Sequence, residues 1–203
     1  MDLLADDAPR ERADAARNRR KVLAAAAELF AARGVAAVSM DDVAAAAGVG
    51  KGTLYRRFGD KSGLAAALLD ERETELQQRM LAGPPPLGPG APAVERLVAF
   101  TDAYLAYVDA HLDVVAMSQT ARPGARLRTG SHRLWRLHCR ILLAEAGAPD
   151  PELRADVLLA ALTAEQVRHW RRDERRGLDE LTRAMGDLAR ALAEGGRGPG
   201  VSP

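Results

Sequence analysis

Ser39-Met40-Asp41-Asp42-Val43-Ala44-Ala45-Ala46-Ala47-Gly48-Val49-Gly50-Lys51-Gly52-Thr53-Leu54-Tyr55-Arg56-Arg57-Phe58 is the stretch that decides the fold. Ser39 is a helix N-cap type, and Asp41 and Asp42 follow in the first turn, where carboxylates suit the helix dipole. The alanine run favours helix, and Gly48 stops it. A second short helix is expected over Lys51 to Phe58, ended by Gly59. Two short helices joined by a tight glycine turn, with Val43, Val49 and Leu54 to pack the pair, spell a helix-turn-helix.

Outward from this pair the whole chain reads as all-α. Upstream, Val22, Leu23, Ala26, Leu29 and Phe30 recur at helical spacing from Arg17 on, with Gly34 as the stop. Downstream, Asp60 caps a long helix from Lys61 to about Leu81. The proline- and glycine-rich stretch 83–92 breaks it and is expected to be a flexible or polyproline-like connector. Further helices are expected over Ala93 to Ala110, Ser131 to Ala146, Pro151 to about Arg172 and Leu178 to about Ala193, with a short segment over Leu112 to Thr120 and a loop over Arg122 to Gly130. The organisation expected is a disordered arm (1–16), a helix-turn-helix domain (17–62), a second helical domain (63–194) and a flexible tail (195–203).

Composition supports that reading. Ala makes up about a fifth of the 203 residues and aromatics only 4%, which argues against an all-β protein. The single Cys139 excludes an internal disulfide and multi-cysteine zinc motifs. The charged first 30 residues lack a signal-peptide core, and the apolar run Val157 to Ala164 is too short to span a bilayer, so a cytoplasmic protein without a membrane partner is expected. The net charge of +1 hides an asymmetry. Residues 17–61 hold nine basic and four acidic side chains, hence +5, which leaves −4 for the remainder. A basic module on a mildly acidic body is the footprint of a DNA binder.

The motifs over residues 17 to about 65 resemble the DNA-binding module of the TetR-type (tetracycline-repressor-like) transcriptional regulators. They include Val22 to Phe30, Gly34, Ser39 to Ala44, Ala47 to Phe58 and Asp60-Lys61. That resemblance implies a homodimer on a palindromic operator in double-stranded DNA, released when a small-molecule effector enters the second domain. Its sign is expected to be repression. A dimer without an effector is the alternative within the class, and a small helical enzyme is the alternative outside it.

The residue chemistry agrees with DNA binding. The N-terminal residues of a recognition helix meet base edges, and here that end carries Lys51, Gly52 and Thr53. Lys51 can read guanine O6/N7, and Gly52 allows close backbone approach. Tyr55 shares the face of Lys51, and the resemblance makes it a phosphate contact. Thr53, Arg56 and Arg57 are further phosphate candidates, although the two adjacent arginines cannot both face one groove. Ser39, at a helix N-terminus, can bind another phosphate. Lys61 matches the family's phosphate-binding lysine. Arg17, Arg19 and Arg20 are expected to precede the first helix and can reach phosphate or the minor groove. Arg33 reads as a solvated residue, and Asp41 as a dipole partner.

In the rest of the chain the scarce large side chains are the effector candidates: Phe100, Tyr104, Tyr107, Met117, Trp135, His138, Gln166 and Trp170. Leu178, Leu181, Met185, Leu188 and Leu192 form a seam at spacings of three and four. With Val157, Ala161 and Ala164 of the preceding helix they are the expected dimer interface, as the resemblance implies. Catalytic motifs are absent, neither a metal nor a cofactor is implied, and no enzymatic activity is expected. Gly48 to Thr53 looks like a phosphate-cradling loop, but it lacks a preceding strand and the required Lys-Ser/Thr order.

Overall fold

The computed structural model describes residues 7–119 and 130–195. Among them every regular element is helical and no strand occurs. The chain divides into two compact units, 1–70 and 71–203.

The first unit contains α1 (Asp7–Arg33), α2 (Met40–Ala47), α3 (Lys51–Phe58) and the start of α4 (Lys61–Ala82). α1 begins ten residues before the expected start at Arg17, so residues 7–16 are helical rather than a disordered arm. The shared core holds Ala26 and Phe30 of α1, Val38 before α2, Val43 and Ala44 of α2, Leu54 of α3 and Leu64, Ala65 and Leu69 of α4. These are the apolar positions whose spacing predicts the helices, and burying them holds short elements that would be marginal alone.

Local chemistry sets the boundaries. The Asp42 amide donates to Ser39 Oγ at 3.1 Å, and the Ser39 amide donates to Asp42 Oδ2 at 2.8 Å, a complete capping box. Gly48 ends α2 at φ +65°, a left-handed conformation that costs a side-chain-bearing residue free energy. Gly63 is required for another reason. A Cβ there would stand 1.9 Å from the carbonyl oxygen of Phe58, so only glycine lets α4 start so close behind α3.

The second unit is built around α5 (Ala93–Ala110), which packs against α7 (Gly130–Glu145), α9 (Ala164–Arg168) and α10 (Leu178–Glu194). α8 (Pro151–Ala161) covers α7, and α6 (Leu112–Gln119) lies on α9. Two expectations are revised here. The 83–92 connector is a folded turn: the Gly88 amide donates to the Pro84 carbonyl at 3.0 Å, and Leu87 is buried. The single helix expected from Pro151 to Arg172 is broken at Leu162–Thr163. Thr163 is extended, and its hydroxyl accepts from the Gln166 amide at 3.3 Å, so it caps a new helix instead of continuing the old one. The chain then passes through one π-helical turn, His169–Asp173. Residues 122–129 of the expected loop, and all but the first residue of the 195–203 tail, lie outside the described residues, whereas Gly130 opens α7.

Candidate nucleic-acid interface and effector site

In the first unit, α3 presents Lys51, Gly52, Thr53, Tyr55 and Arg56 to solvent while Leu54 is buried. Tyr55 is 47% exposed, which leaves its ring and hydroxyl accessible to a partner. Lys51 Nζ donates to Asp41 Oδ2 at 2.5 Å. That hydrogen bond holds the ammonium pKa above its ordinary value. Asp41, expected to act only on the helix dipole, is thus the counter-ion of the residue at the reading end.

Several expected DNA contacts already have protein partners. Lys61 Nζ donates to the carbonyls of Val35 (2.9 Å), Ala36 (3.2 Å) and Val38 (2.9 Å). An ammonium has three N–H bonds, so all of them face the α1–α2 turn and none is left for a phosphate. Arg33 joins the same turn, 3.4 Å from the Ala37 carbonyl and 3.6 Å from Asp42 Oδ2, and is not merely solvated. Arg57 donates from Nη1 to the Ala15 carbonyl at 2.8 Å, which ties α3 to α1, whereas Arg56 has no such tether among the described residues. Arg17 pairs with Asp14 one turn earlier, and Arg19 lies 3.4 Å from Asp70. Arg20 is exposed. Ser39 Oγ is engaged with Asp42 through the cap, donating to Oδ2 at 2.8 Å.

In the second unit, the structure brings five of the eight effector candidates into one ring cluster with His111. Phe100 lies 5.7 Å from Tyr104, 5.8 Å from Trp135 and 5.3 Å from His138, the last edge-on. Tyr104 also contacts Trp135 and Tyr107, and Tyr107 contacts His111. Phe100 and Trp135 are fully buried, and His138 nearly so. Burial, aided by the positive charge of Arg96, pushes the His138 pKa down to about 4, so its imidazole is neutral. The Tyr107 hydroxyl donates to Glu73 Oε1 at 3.2 Å, and burial beside that carboxylate pushes its pKa up. Cys139 is buried and its thiol pKa is likewise raised, which suits packing and not nucleophilic chemistry.

The other three candidates lie elsewhere. Met117 is half-buried on α6. Gln166 lines a separate surface cleft of about 330 Å³ with Thr163, Glu165, Arg168, His169 and Asp173. Trp170 sits on the π-helical turn and joins no ring contact among the described residues. Arg96 escaped the sequence reading. It stands one turn before Phe100 on α5, so the 96–100–104 spacing was the available signal.

The expected dimer seam is only partly accessible. Leu181, Met185 and Ala164 are buried within this chain and cannot contribute to a subunit interface. Leu178, Leu188, Leu192 and Ala161 are half-buried, and Val157 is exposed. Leu137 and Ile141 of α7 and Leu153 of α8 are exposed as well. Two ion pairs, Arg136–Asp156 and Arg140–Glu152, tie α7 and α8 together in antiparallel order.

Comparison with known proteins places this architecture. Residues 22–68 match the family model described as bacterial regulatory proteins, tetR family. An HTH-type transcriptional repressor of Mycobacterium tuberculosis is 34% identical over 161 residues, covering 67% of this chain and 82% of that one. An HTH-type regulator of Staphylococcus aureus is 47% identical over 53 residues, 26% of this chain and 29% of its own. Among solved structures, a TetR/AcrR regulator from Thermobifida fusca aligns with a TM-score of 0.61 at 25% identity, covering 89% of this chain and 98% of that one. A regulator from Saccharomonospora viridis, solved in complex with choline, aligns at 0.62 and 21% identity over 85% and 95% of the two chains. The chain belongs to the TetR family of bacterial transcriptional regulators.

Proposed function

We propose that this regulator is a homodimeric repressor that binds a palindromic operator and leaves it when a small molecule binds in the second unit. It acts by binding and not by catalysis, in the cytoplasm. The observation that carries the reading is the solvent-facing end of α3, where Lys51, Thr53, Tyr55 and Arg56 stand clear of a buried Leu54. Such a helix enters the major groove, with its N-terminal residues on base edges and its flanks on phosphates. Ser39 completes the proposed phosphate contacts through the N-terminus of α2, and Arg20 through α1.

The dimer surface we propose is the exposed apolar face of α7 and α8, Leu137, Ile141, Leu153 and Val157, flanked by Leu178, Leu188 and Leu192 of α10. A contiguous apolar face of this kind marks an interface. A two-fold symmetric dimer matches a palindrome, one recognition helix for each half-site. The effector can release DNA only by binding better to a form whose helix spacing does not fit the operator. No helix among the described residues is long and apolar enough to cross a membrane.

Selection from randomised palindromic duplexes, followed by fluorescence anisotropy on the winner, tests the proposal. The expected result is one enriched palindrome bound as two protomers per duplex. Equal affinity for the enriched and a scrambled duplex would overturn it.

A further inference from the structure

Arg96 and His138 each carry a buried nitrogen without a partner: Arg96 Nε and His138 Nε2. Buried polar groups are nearly always satisfied, so each orphan asks for an explanation. The two are neighbours. Arg96 lies one turn before Phe100 on α5, the His138 ring packs edge-on against Phe100 at 5.3 Å, and the charge of Arg96 is felt at His138. Both nitrogens therefore lie on helices that pack together, on either side of the Phe100 ring at the α5–α7 seam.

Other arginines of this unit show what Arg96 lacks. Arg136, Arg140, Arg171, Arg172, Arg176 and Arg190 each pair with a carboxylate. Arg154 donates to the Leu192 carbonyl. Arg96 has no such oxygen among the described residues. The acids on its own helix are turned elsewhere: Asp102 lies toward Gly186 and Arg190 of α10, Asp109 pairs with Arg171, and Glu95 is exposed. The seam thus holds one uncompensated positive charge, one neutral imidazole and a wall of rings.

We propose that Arg96 and His138 form an anion subsite for the carboxylate of a small organic acid, whose hydrocarbon part meets the Phe100 ring. The carboxylate accepts from Arg96 Nε–H and from His138 with its proton on Nε2, supplying the oxygen that the protein withholds. A quaternary ammonium would face like charge at Arg96 and is excluded, although aromatic rings alone would suit one. This assignment rests on the effector reading above and gives that effector a chemical class.

The test uses the full chain with phenylacetate, its neutral isostere phenylacetamide, and choline, each read by thermal shift and by calorimetric titration without DNA. Phenylacetate is expected to raise the melting temperature at about 10 mM, the other two to leave it unchanged. Arg96→Met is expected to weaken phenylacetate binding at least about tenfold, as loss of a charge-assisted hydrogen bond requires. His138→Gln, which keeps a donor, is expected to retain binding better than His138→Leu. The ligand-free Arg96→Met chain should melt no lower than the wild type, since no hydrogen bond or ion pair is lost and methionine keeps the packing of the stem; a lower melting temperature would reveal a structural arginine instead. Binding of the amide or of choline as strong as that of the acid, no binding of the acid, or undiminished binding in Arg96→Met overturns the subsite. Operator release is measured separately. An acid that binds without releasing operator leaves the subsite standing and refutes the effector-controlled repressor.

Discussion

Lys61 Nζ stands 2.9 Å from the carbonyl oxygen of Val38, the residue just before the Ser39 cap of α2. The same ammonium holds the Val35 and Ala36 carbonyls. Lys61 therefore fastens the α1–α2 turn and, through it, the N-terminus of α2. Hydrogen bonds from a charged donor are worth about 1.5–3 kcal/mol each when buried and less at this half-exposed site. Lys61→Met is expected to destabilise the first unit by about 1–2 kcal/mol in chemical denaturation. The salt dependence of DNA binding checks the alternative: a phosphate contact would lower the slope by about one per half-site, whereas a turn fastener leaves it unchanged.

Asp41 is the partner of Lys51 at 2.5 Å. Removing the carboxylate frees the ammonium and deletes a negative charge that opposes the DNA. Asp41→Ala is expected to tighten binding to specific and random duplexes alike and to steepen the salt slope. Lys51→Ala is expected to cost about 1–3 kcal/mol on the operator and to relax preference at one base pair per half-site. Anisotropy titrations over a salt series with matched and mismatched duplexes measure both.

Ser39 and Asp42 form the capping box of α2, and the Ser39 bonds hold the Asp42 carboxyl below its ordinary pKa. Ser39→Ala is expected to lower stability by about 1 kcal/mol. The Asp42 contribution has a definite pH dependence. A depressed native pKa stabilises above the unfolded carboxylate value, and that stability is lost as pH falls through the native one. Thermal melts of wild type and Ser39→Ala should therefore converge at acid pH.

His138 is held neutral, with its pKa near 4. The unfolded chain takes up this proton at higher pH than the native one, so stability should fall as pH drops from about 6.5 toward 4, by at most about 1.4 kcal/mol per pH unit. His138→Leu should remove that part of the acid slope, as urea titrations at several pH values would show.

Val157 and Leu153 are exposed on α8, whereas Leu181 and Met185 are buried under α5 in the same chain. Val157→Arg is expected to give a folded monomer in sedimentation velocity. Met185→Arg is expected to unfold the second unit, because it buries a charge without a partner.

Most of the helix-turn-helix was legible from the sequence because its signals are local. The Ser39 cap, the Gly48 and Gly59 stops and the α3 boundaries depend on interactions within three or four residues, which spacing exposes directly. The candidate ring cluster was legible for a compositional reason: with so few aromatics, Phe100, Tyr104 and Trp135 had few other partners. The break at Thr163 was harder to see, since a threonine inside an apolar run reads as helix until its hydroxyl turns to cap the next one.

The amino-acid sequence by itself determined an all-helical chain, a basic reading module and the side chains that module offers to DNA, because helix periodicity, caps and charge are properties of near neighbours. Only the tertiary structure decided which of those side chains are occupied. Lys61 reaches carbonyls 23 to 26 residues away, and Arg57 one 42 residues away. It also decided that two leucine-seam residues of α10 are core, and that Arg96 Nε and His138 Nε2 are both buried without a hydrogen-bond partner. Each of these depends on which helices pack together, and packing is settled by the sum of many weak contacts across the chain that no local spacing records.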